Sequence, residues 1–191
     1  PEQRAAAKAE FGVSGPTIVC ISRFVPRKGQ DQLLRAMPLV RGEFPDTQLL
    51  LIGRGRYRRA LEELADIYCP DAVIQEAESI ETALHAADIF AMPARTRGGG
   101  LDVEGLGIVY LEAQACGLPV IAGNSGGAPE TMTEDTGVVV NGSSVQELAE
   151  AVKALLADPQ RRLSMGQAGR RHVEAHWTWR IMGQRLRRLM S

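Results

Sequence analysis

The chain contains no stretch approaching the roughly 18 uninterrupted apolar residues that a membrane-spanning helix requires, and Pro1 to Phe11 carries no signal-peptide core. A soluble or peripherally bound protein is expected. Cysteine is scarce: Cys20, Cys69 and Cys116 form an odd set without C-x-x-C spacing, which argues against a disulfide scaffold. Two of them sit inside apolar segments, where a reduced, buried thiol is the usual state, and this fits a reducing cytoplasm. An excess of charge of either sign is also missing: 22 basic residues face 23 acidic ones, for a formal charge of -1. The molecule as a whole therefore has no net attraction for nucleic acid or for an anionic membrane, and no nucleic-acid partner is expected. Lysine is equally scarce, confined to Lys8, Lys28 and Lys153 in an otherwise arginine-rich chain. A lone lysine among arginines marks a candidate for a specific task. Of the three histidines, His172 and His176 stand four apart on an expected helix. No glutamate directly follows His172 and no third ligand is evident, so no metal site is expected.

What is present is enough apolar residue, 45% of 191, to bury one substantial core in a single domain. Thr17 to Ser22 is a short β-branched run bounded by Gly15-Pro16, the pattern of a strand buried on both faces. Leu33, Leu34, Met37 and Val40 then repeat at helical spacing over Gln30 to Phe44, and Gln48 to Ile52 forms a second strand. The alternation continues with a helix from Tyr57 to Tyr68, a weak strand at Ala72 to Ile74 and a short helix from Ile80 to Ala87. Strands at Asp88 to Met92, Pro119 to Ala122 and Gly137 to Val140 follow, with a helix from Ile108 to Cys116 between the first two. Such alternation means parallel strands joined by right-handed crossovers: an α/β, Rossmann-like open sheet with helices on both faces. From Ser144 onward only helices are expected, over Val145 to Leu156, Arg161 to His176 and Trp179 to Met190.

Open parallel sheets bind ligands outside the carboxyl ends of their strands. Three strand-end loops stand out there. In Arg23-Phe24-Val25-Pro26-Arg27-Lys28-Gly29, two cations leave one turn and Gly29 would let backbone approach a ligand at the helix start. Each charge-assisted hydrogen bond from Arg23 or Lys28 would contribute about 1.5–3 kcal/mol, enough for the pair to dominate the holding of a diphosphate. A solvated basic turn fits that loop alone equally well. The second loop, Ala94 to Gly107, opens into the helix beginning near Ile108, whose free amides and partial positive charge make a second phosphate cradle. Glu104 lies just before that helix and Glu112 one turn inside it. A carboxylate beside a phosphate is costly unless it serves a neutral polyol such as a ribose or a hexose, which points to a nucleotide sugar. The plainer alternatives are an ordinary first-turn glutamate and a flexible glycine loop. The third loop, Gly123 to Glu130, is a tight turn into a short helix, and serves the rim or the ligand.

These segments together, R-x4-K-G, A-D-I-F-A-M-P, the E-x7-E of Glu104 and Glu112, E-A-Q-A-C-G-L-P-V-I-A and G-G-A-P-E, resemble the C-terminal, donor-binding lobe of retaining GT-B glycosyltransferases from about Phe11 onward. The narrower run from Pro93 to Gly105 is similar to the actinobacterial mannosyltransferases that act on phosphatidylinositol monomannoside. The resemblance implies that Arg23 and Lys28 bind the donor diphosphate and stabilise the departing GDP. It gives Glu104 the hydroxyls of the transferred sugar and Glu112 the ribose. The backbone of Leu106, Gly107, Ile108 and Val109 takes the distal phosphate. It further implies GDP-mannose as donor, no cofactor and no metal, and an α-1,6 mannosyl transfer to a phosphatidylinositol mannoside glycolipid held by an N-terminal lobe. On that basis residues 1–14 are expected to be an interdomain linker helix, 15–176 the nucleotide-sugar lobe, and 177–191 a helix crossing to the other lobe. That lobe is expected to be missing, so the chain alone should bind nucleotide weakly and turn over nothing. A cytoplasmic location is expected, with peripheral contact at the inner face of the plasma membrane. One departure concerns the nucleobase: the family's apolar-Phe-apolar-Gly strand end is replaced by Val73 to Ser79, which lacks the glycine and is several residues shorter, so the segment around Gln75 to Ser79 leaves base identity open.

Other signals are weaker. Gly53-Arg54-Gly55 hints at a dinucleotide motif but lacks its third glycine. Asp102-Val103-Glu104 superficially resembles an acidic metal motif, yet the neighbouring cations make a divalent ion unnecessary. The scattered arginines of the last helices fit a solvated face better than a membrane-binding one. Cys116 reads as a small packing residue at a helix end. Two competing functions stay open: the same fold using UDP-glucose or another donor, and a non-catalytic nucleotide-binding module.

Overall fold

A computed structural model describes residues 2–190. The elements run α1 (Glu2–Glu10), β1 (Thr17–Ile21), α2 (Gln30–Arg41), β2 (Gln48–Ile52), α3 (Arg58–Tyr68), β3 (Val73–Gln75), α4 (Ile80–Ala86) and β4 (Ile89–Met92). Then come α5 (Ile108–Ala115), β5 (Val120–Gly123), β6 (Gly137–Val140), α6 (Val145–Ala157), α7 (Pro159–His176) and α8 (Trp179–Met190). All six strands are parallel, in the order β3-β2-β1-β4-β5-β6. The chain winds outward from β1 to β3, then returns to lay β4 on the other side of β1, with Ile18 opposite Ile89. That reversal opens a crevice at the carboxyl ends of β1 and β4, the usual ligand position in such sheets.

Burial explains which strands were easy to read. Every residue of β1, β4 and β5 is buried, because helices cover both faces: α2 packs with α3 and α6, and α5 with α7. The edge strands β3 and β6 are only partly buried, and β3 is three residues long. Two helix boundaries differ from expectation by more than one residue. α2 stops at Arg41 rather than Phe44: the Gly42 N–H donates to the Pro38 carbonyl, and the Val40 carbonyl takes the N–H groups of both Glu43 and Phe44, closing the end of the helix. α7 starts at Pro159 rather than Arg161: Asp158 accepts the Arg161 N–H at 2.9 Å and proline occupies the first turn, so Asp158 alone separates α6 from α7 and Pro159 opens the second helix.

The tail is built differently. α8 buries none of its residues, and Trp179 is 86% exposed. Its root is pinned to α7 by the Trp177 indole N–H, which donates to His172 Nε2 at 3.1 Å. His172 is thus occupied as an acceptor, and among the described residues no group of three His, Cys, Asp or Glu side chains gathers as a metal site would. No described helix is long and apolar enough to cross a membrane.

Candidate functional site

The chain leaves β1 through Ser22 and Arg23, and buried Phe24 anchors this exit by donating its N–H to the Arg54 carbonyl at 2.8 Å. The Gly53-Arg54-Gly55 motif finds its reason here. A Cβ on Gly53 would lie 2.0 Å from the Ser22 carbonyl oxygen, and one on Gly55 2.5 Å from that of Phe24. These glycines let two backbones pass rather than serve a cofactor. The loop then makes a short 3-10 turn, Pro26–Lys28, and enters α2 through Gly29 at φ 79.

From β4 the chain runs through Pro93 and Ala94 to a tight turn at Gly98–Gly100, closed by the Arg97–Asp102 bridge, and on to Glu104. α5 begins after Gly107, φ 76, against whose Cα the Tyr110 ring lies. Tyr110 ties that helix start to the sheet: its buried hydroxyl donates to the Met92 carbonyl at 2.7 Å, and its ring meets Phe90 edge-on. Burial, and then the Glu104 charge, hold the Tyr110 phenol well above its ordinary pKa, so it stays a donor.

The loop after β5 backs this segment. Ser125 Oγ accepts the Glu104 N–H at 3.1 Å and lies 3.0 Å from Thr96 Oγ1, while the Gly127 N–H donates to the Gly105 carbonyl. A Cβ at Gly126 would fall 1.7 Å from the Glu104 carbonyl oxygen. The Gly-Gly pair is therefore a close-fitting wall behind Glu104.

These loops enclose a cleft of about 640 Å³. Arg23, Lys28, Glu104, Leu106, Gly107, Ile108, Val109 and Glu112 all line it, so eight of the nine residues expected at the site come together. Gly29 does not, which corrects the expectation that it admits a ligand. It is buried, and a Cβ there would lie 2.2 Å from the Pro93 carbonyl oxygen. Its left-handed turn lets the Lys28 loop press against the end of β4.

Within the cleft, Arg23 and Glu112 are exposed, but Lys28 and Glu104 are buried and paired, Nζ to Oε2, at 2.7 Å. The contact is short yet off the hydrogen-bonding line, and Glu104 Oε2 has no aligned donor within the protein. Charge, not directed bonding, holds it. Arg27 adds Nε at 3.7 Å from the same oxygen and reaches Asp102 Oδ1 at 3.3 Å. At the far end, Gly53, Arg54, Glu76, Ala77 and Ile80 line the cleft. Of the expected base segment, Gln75 ends β3, Glu76 and Ala77 face the cleft, and Ser79 caps α4 by accepting the Thr82 N–H.

Sequence reasoning missed the frame around this site. Arg95 donates its N–H to the Arg27 carbonyl at 2.8 Å and its guanidinium to Asp31 Oδ2 at 2.9 Å, both side chains nearly buried. It therefore staples the turn on both sides of Lys28. The one local signal was Asp31 with Arg35 a helical turn later, an ion pair at 3.3 Å.

The sequence profile described as "Glycosyl transferases group 1" matches residues 2–172. The chain belongs to this glycosyltransferase family. It is 57% identical, over its whole length and 51% of the relative, to a GDP-mannose-dependent monoacylated alpha-(1-6)-phosphatidylinositol monomannoside mannosyltransferase of Corynebacterium glutamicum. It is 50% identical, again throughout and over 52% of the relative, to the GDP-mannose-dependent alpha-(1-6)-phosphatidylinositol monomannoside mannosyltransferase of Mycolicibacterium smegmatis. The group 1 chain thus spans about half the length of these curated relatives. Among solved structures, Anabaena Alr3699/HepE in complex with UDP-glucose superposes with a TM-score of 0.87 at 22% identity, covering all of this chain and 52% of that one. That likeness concerns the fold.

Proposed function

We propose that this chain is the donor-binding lobe of a retaining glycosyltransferase that moves mannose from GDP-mannose to a phosphatidylinositol mannoside, forming an α-1,6 linkage. The observation that carries the reading is the convergence of Arg23, Lys28, Glu104, Glu112 and the start of α5 on one cleft at the carboxyl end of the sheet. The names of the two mannosyltransferases, each sharing half or more of its aligned residues with this chain, supply the donor and acceptor classes.

In this reading the diphosphate lies between Arg23, Lys28 and the first amides of α5, from Leu106 to Val109. The cleft's two cations and the helix end carry the charge that a divalent ion would otherwise neutralise, so no metal is needed. Glu112 takes the ribose hydroxyls and Glu104 those of mannose. As the glycosidic bond breaks, negative charge grows on the leaving phosphate oxygen. Cations already in position there stabilise the transition state more than the ground state, and losing one costs about a hundredfold in rate or more. The acceptor occupies the N-terminal half that the relatives possess. The bare face of α8, with Trp179, Leu186 and Leu189 exposed, packs on that half, and the assembled enzyme meets the anionic inner leaflet peripherally.

Calorimetry of the chain with GDP and with UDP tests the donor. GDP is expected to bind more tightly, and a preference for UDP would replace the mannosyl reading with another nucleotide sugar. For the catalytic roles, unchanged turnover after Glu104→Ala or Lys28→Ala, in the chain joined to an N-terminal half, would reduce the lobe to a binding module.

A further inference from the structure

We infer that Glu104 is an internal rival of the diphosphate for Lys28, and that this rivalry makes the cleft favour the sugar-bearing donor over the spent nucleoside diphosphate. The inference rests on the donor reading above and concerns the state before and after transfer.

Lys28 is a buried cation of the cleft, and its ammonium stands 2.7 Å from Glu104 Oε2. Glu104 is 5% exposed, so its charge is poorly solvated, and Oε2 lacks an aligned donor from any side chain. Arg27 Nε, 3.7 Å away, is likewise buried and without a hydrogen-bond partner. A buried carboxylate in this condition relies on the nearby cations, and withdrawing one is expensive.

An arriving diphosphate draws on the same ammonium. As Lys28 turns its protons toward phosphate oxygens, Glu104 loses its counter-charge and gains two anionic groups as neighbours. A hexose attached to the diphosphate repairs this, because its hydroxyls are neutral donors that can satisfy Oε2. A nucleoside diphosphate alone brings no such donor to that end of the cleft. Product is therefore held against an unrelieved carboxylate, and donor is not. Glu104 both grips the sugar and, once the sugar has gone, favours release of what remains.

The test compares GDP and GDP-mannose binding, by calorimetry, to the 191-residue chain and its Glu104→Gln variant, with thermal melting to confirm folding. Removing the rival charge should tighten GDP binding about tenfold, the scale of one partly screened charge contact. GDP-mannose should gain less, since it loses an acceptor for its hydroxyls. In a Lys28→Ala background the gain from Glu104→Gln should shrink to about threefold or less, because the contested cation is gone. Glu104→Asp, whose shorter arm draws the carboxylate back from Lys28, gives a second route to a severalfold GDP gain if the Gln variant does not fold. Unchanged or weaker GDP binding in a folded Glu104 variant overturns the inference, as does an equal gain for both ligands or a full gain without Lys28. Uptake of UDP in place of GDP corrects the base reading alone, and the comparison is then made with UDP and UDP-glucose. A wild-type chain that takes up no nucleoside diphosphate at millimolar concentration sinks the donor reading and this inference together.

Discussion

The two ends of the sheet treat their polar groups in opposite ways. At the amino end, Asp88 accepts the Thr17 N–H at 2.9 Å, Lys8 at 3.3 Å and Arg4 as well, while Gln48 Oε1 accepts the N–H groups of Ser14 and Gly15. Arg41 grips both oxygens of Asp71, at 2.7 and 2.8 Å, and donates its Nε to the Thr47 carbonyl. None of these groups is stranded. At the carboxyl end, Arg27 Nε, Gln30 Oε1, Asp31 Oδ1, Arg95 Nη1 and Glu104 Oε2 are all buried without a hydrogen-bond partner in the protein. A stranded buried group costs about 1–3 kcal/mol, and of these five Glu104 Oε2 is the one whose residue lines the cleft. The amino end shows that this chain can satisfy its polar groups. The carboxyl end leaves Glu104 Oε2 without a hydrogen-bond donor in the cleft itself.

The contrast can be broken most sharply at the Lys28–Glu104 pair. Replacing a buried ion pair by neutral groups of similar volume is often neutral or stabilising. The double variant Lys28→Met, Glu104→Gln should therefore melt no lower than the parent, while turnover in the chain joined to an N-terminal half falls by about a hundredfold or more. A clear drop in melting temperature would show the pair to be structural. The mirror experiment removes Asp88. Asp88→Ala strands the Thr17 N–H and leaves two cations uncompensated, costing about 2–3 kcal/mol and lowering the melting temperature by roughly 2–4 °C per kcal/mol. GDP affinity should not move, and calorimetry beside the melting curve would expose any coupling between the ends.

A smaller effect is expected from Arg95→Gln. It keeps the backbone N–H that donates to the Arg27 carbonyl but loses the guanidinium contact to Asp31. The turn bearing Lys28 should then loosen, weakening GDP binding about fivefold, roughly 1 kcal/mol. Arg95→Lys, which can still reach Asp31, should recover most of it. If both variants bind GDP as the parent does, the staple has no part in the site.

This staple also marks where sequence reading stops. β1, β4 and β5 were legible because strands buried on both faces are short, unbroken apolar runs, and once they alternate with helices the crevice position follows. Arg23, Lys28, Glu104 and Glu112 were legible because each leaves a strand-end loop or a helix start. Arg27, Asp31, Arg95 and Asp102 were not. Arg27 meets Asp102 across 75 positions, and Arg95 meets Asp31 across 64, and only the pairing of β1 with β4 brings those loops together. Gly29 was misread for the same reason, since the backbone it admits is that of Pro93, 64 residues on, rather than a ligand.

The smallest expected effect lies at the amino end and depends on acid. The Arg41 guanidinium, hydrogen-bonded to Asp71, holds that carboxyl below its ordinary 3.8 against the opposing pull of partial burial. The unfolded chain therefore takes up this proton at higher pH than the folded one. The stabilisation is fully present above about 3.8, declines as pH falls below that value, and is lost once pH passes the depressed native value. Asp71 is 56% exposed, so screening keeps the contribution modest and added salt should reduce it further. Melting curves from pH 5 to pH 2.5 should fall less steeply for Asp71→Asn than for the parent, with the difference shrinking in 1 M salt and GDP affinity at neutral pH unchanged. Equal slopes would mean that the Arg41–Asp71 pair, despite its two short hydrogen bonds, is as weak as an isolated surface ion pair, and that the order of the amino end rests on Asp88 and Gln48 alone.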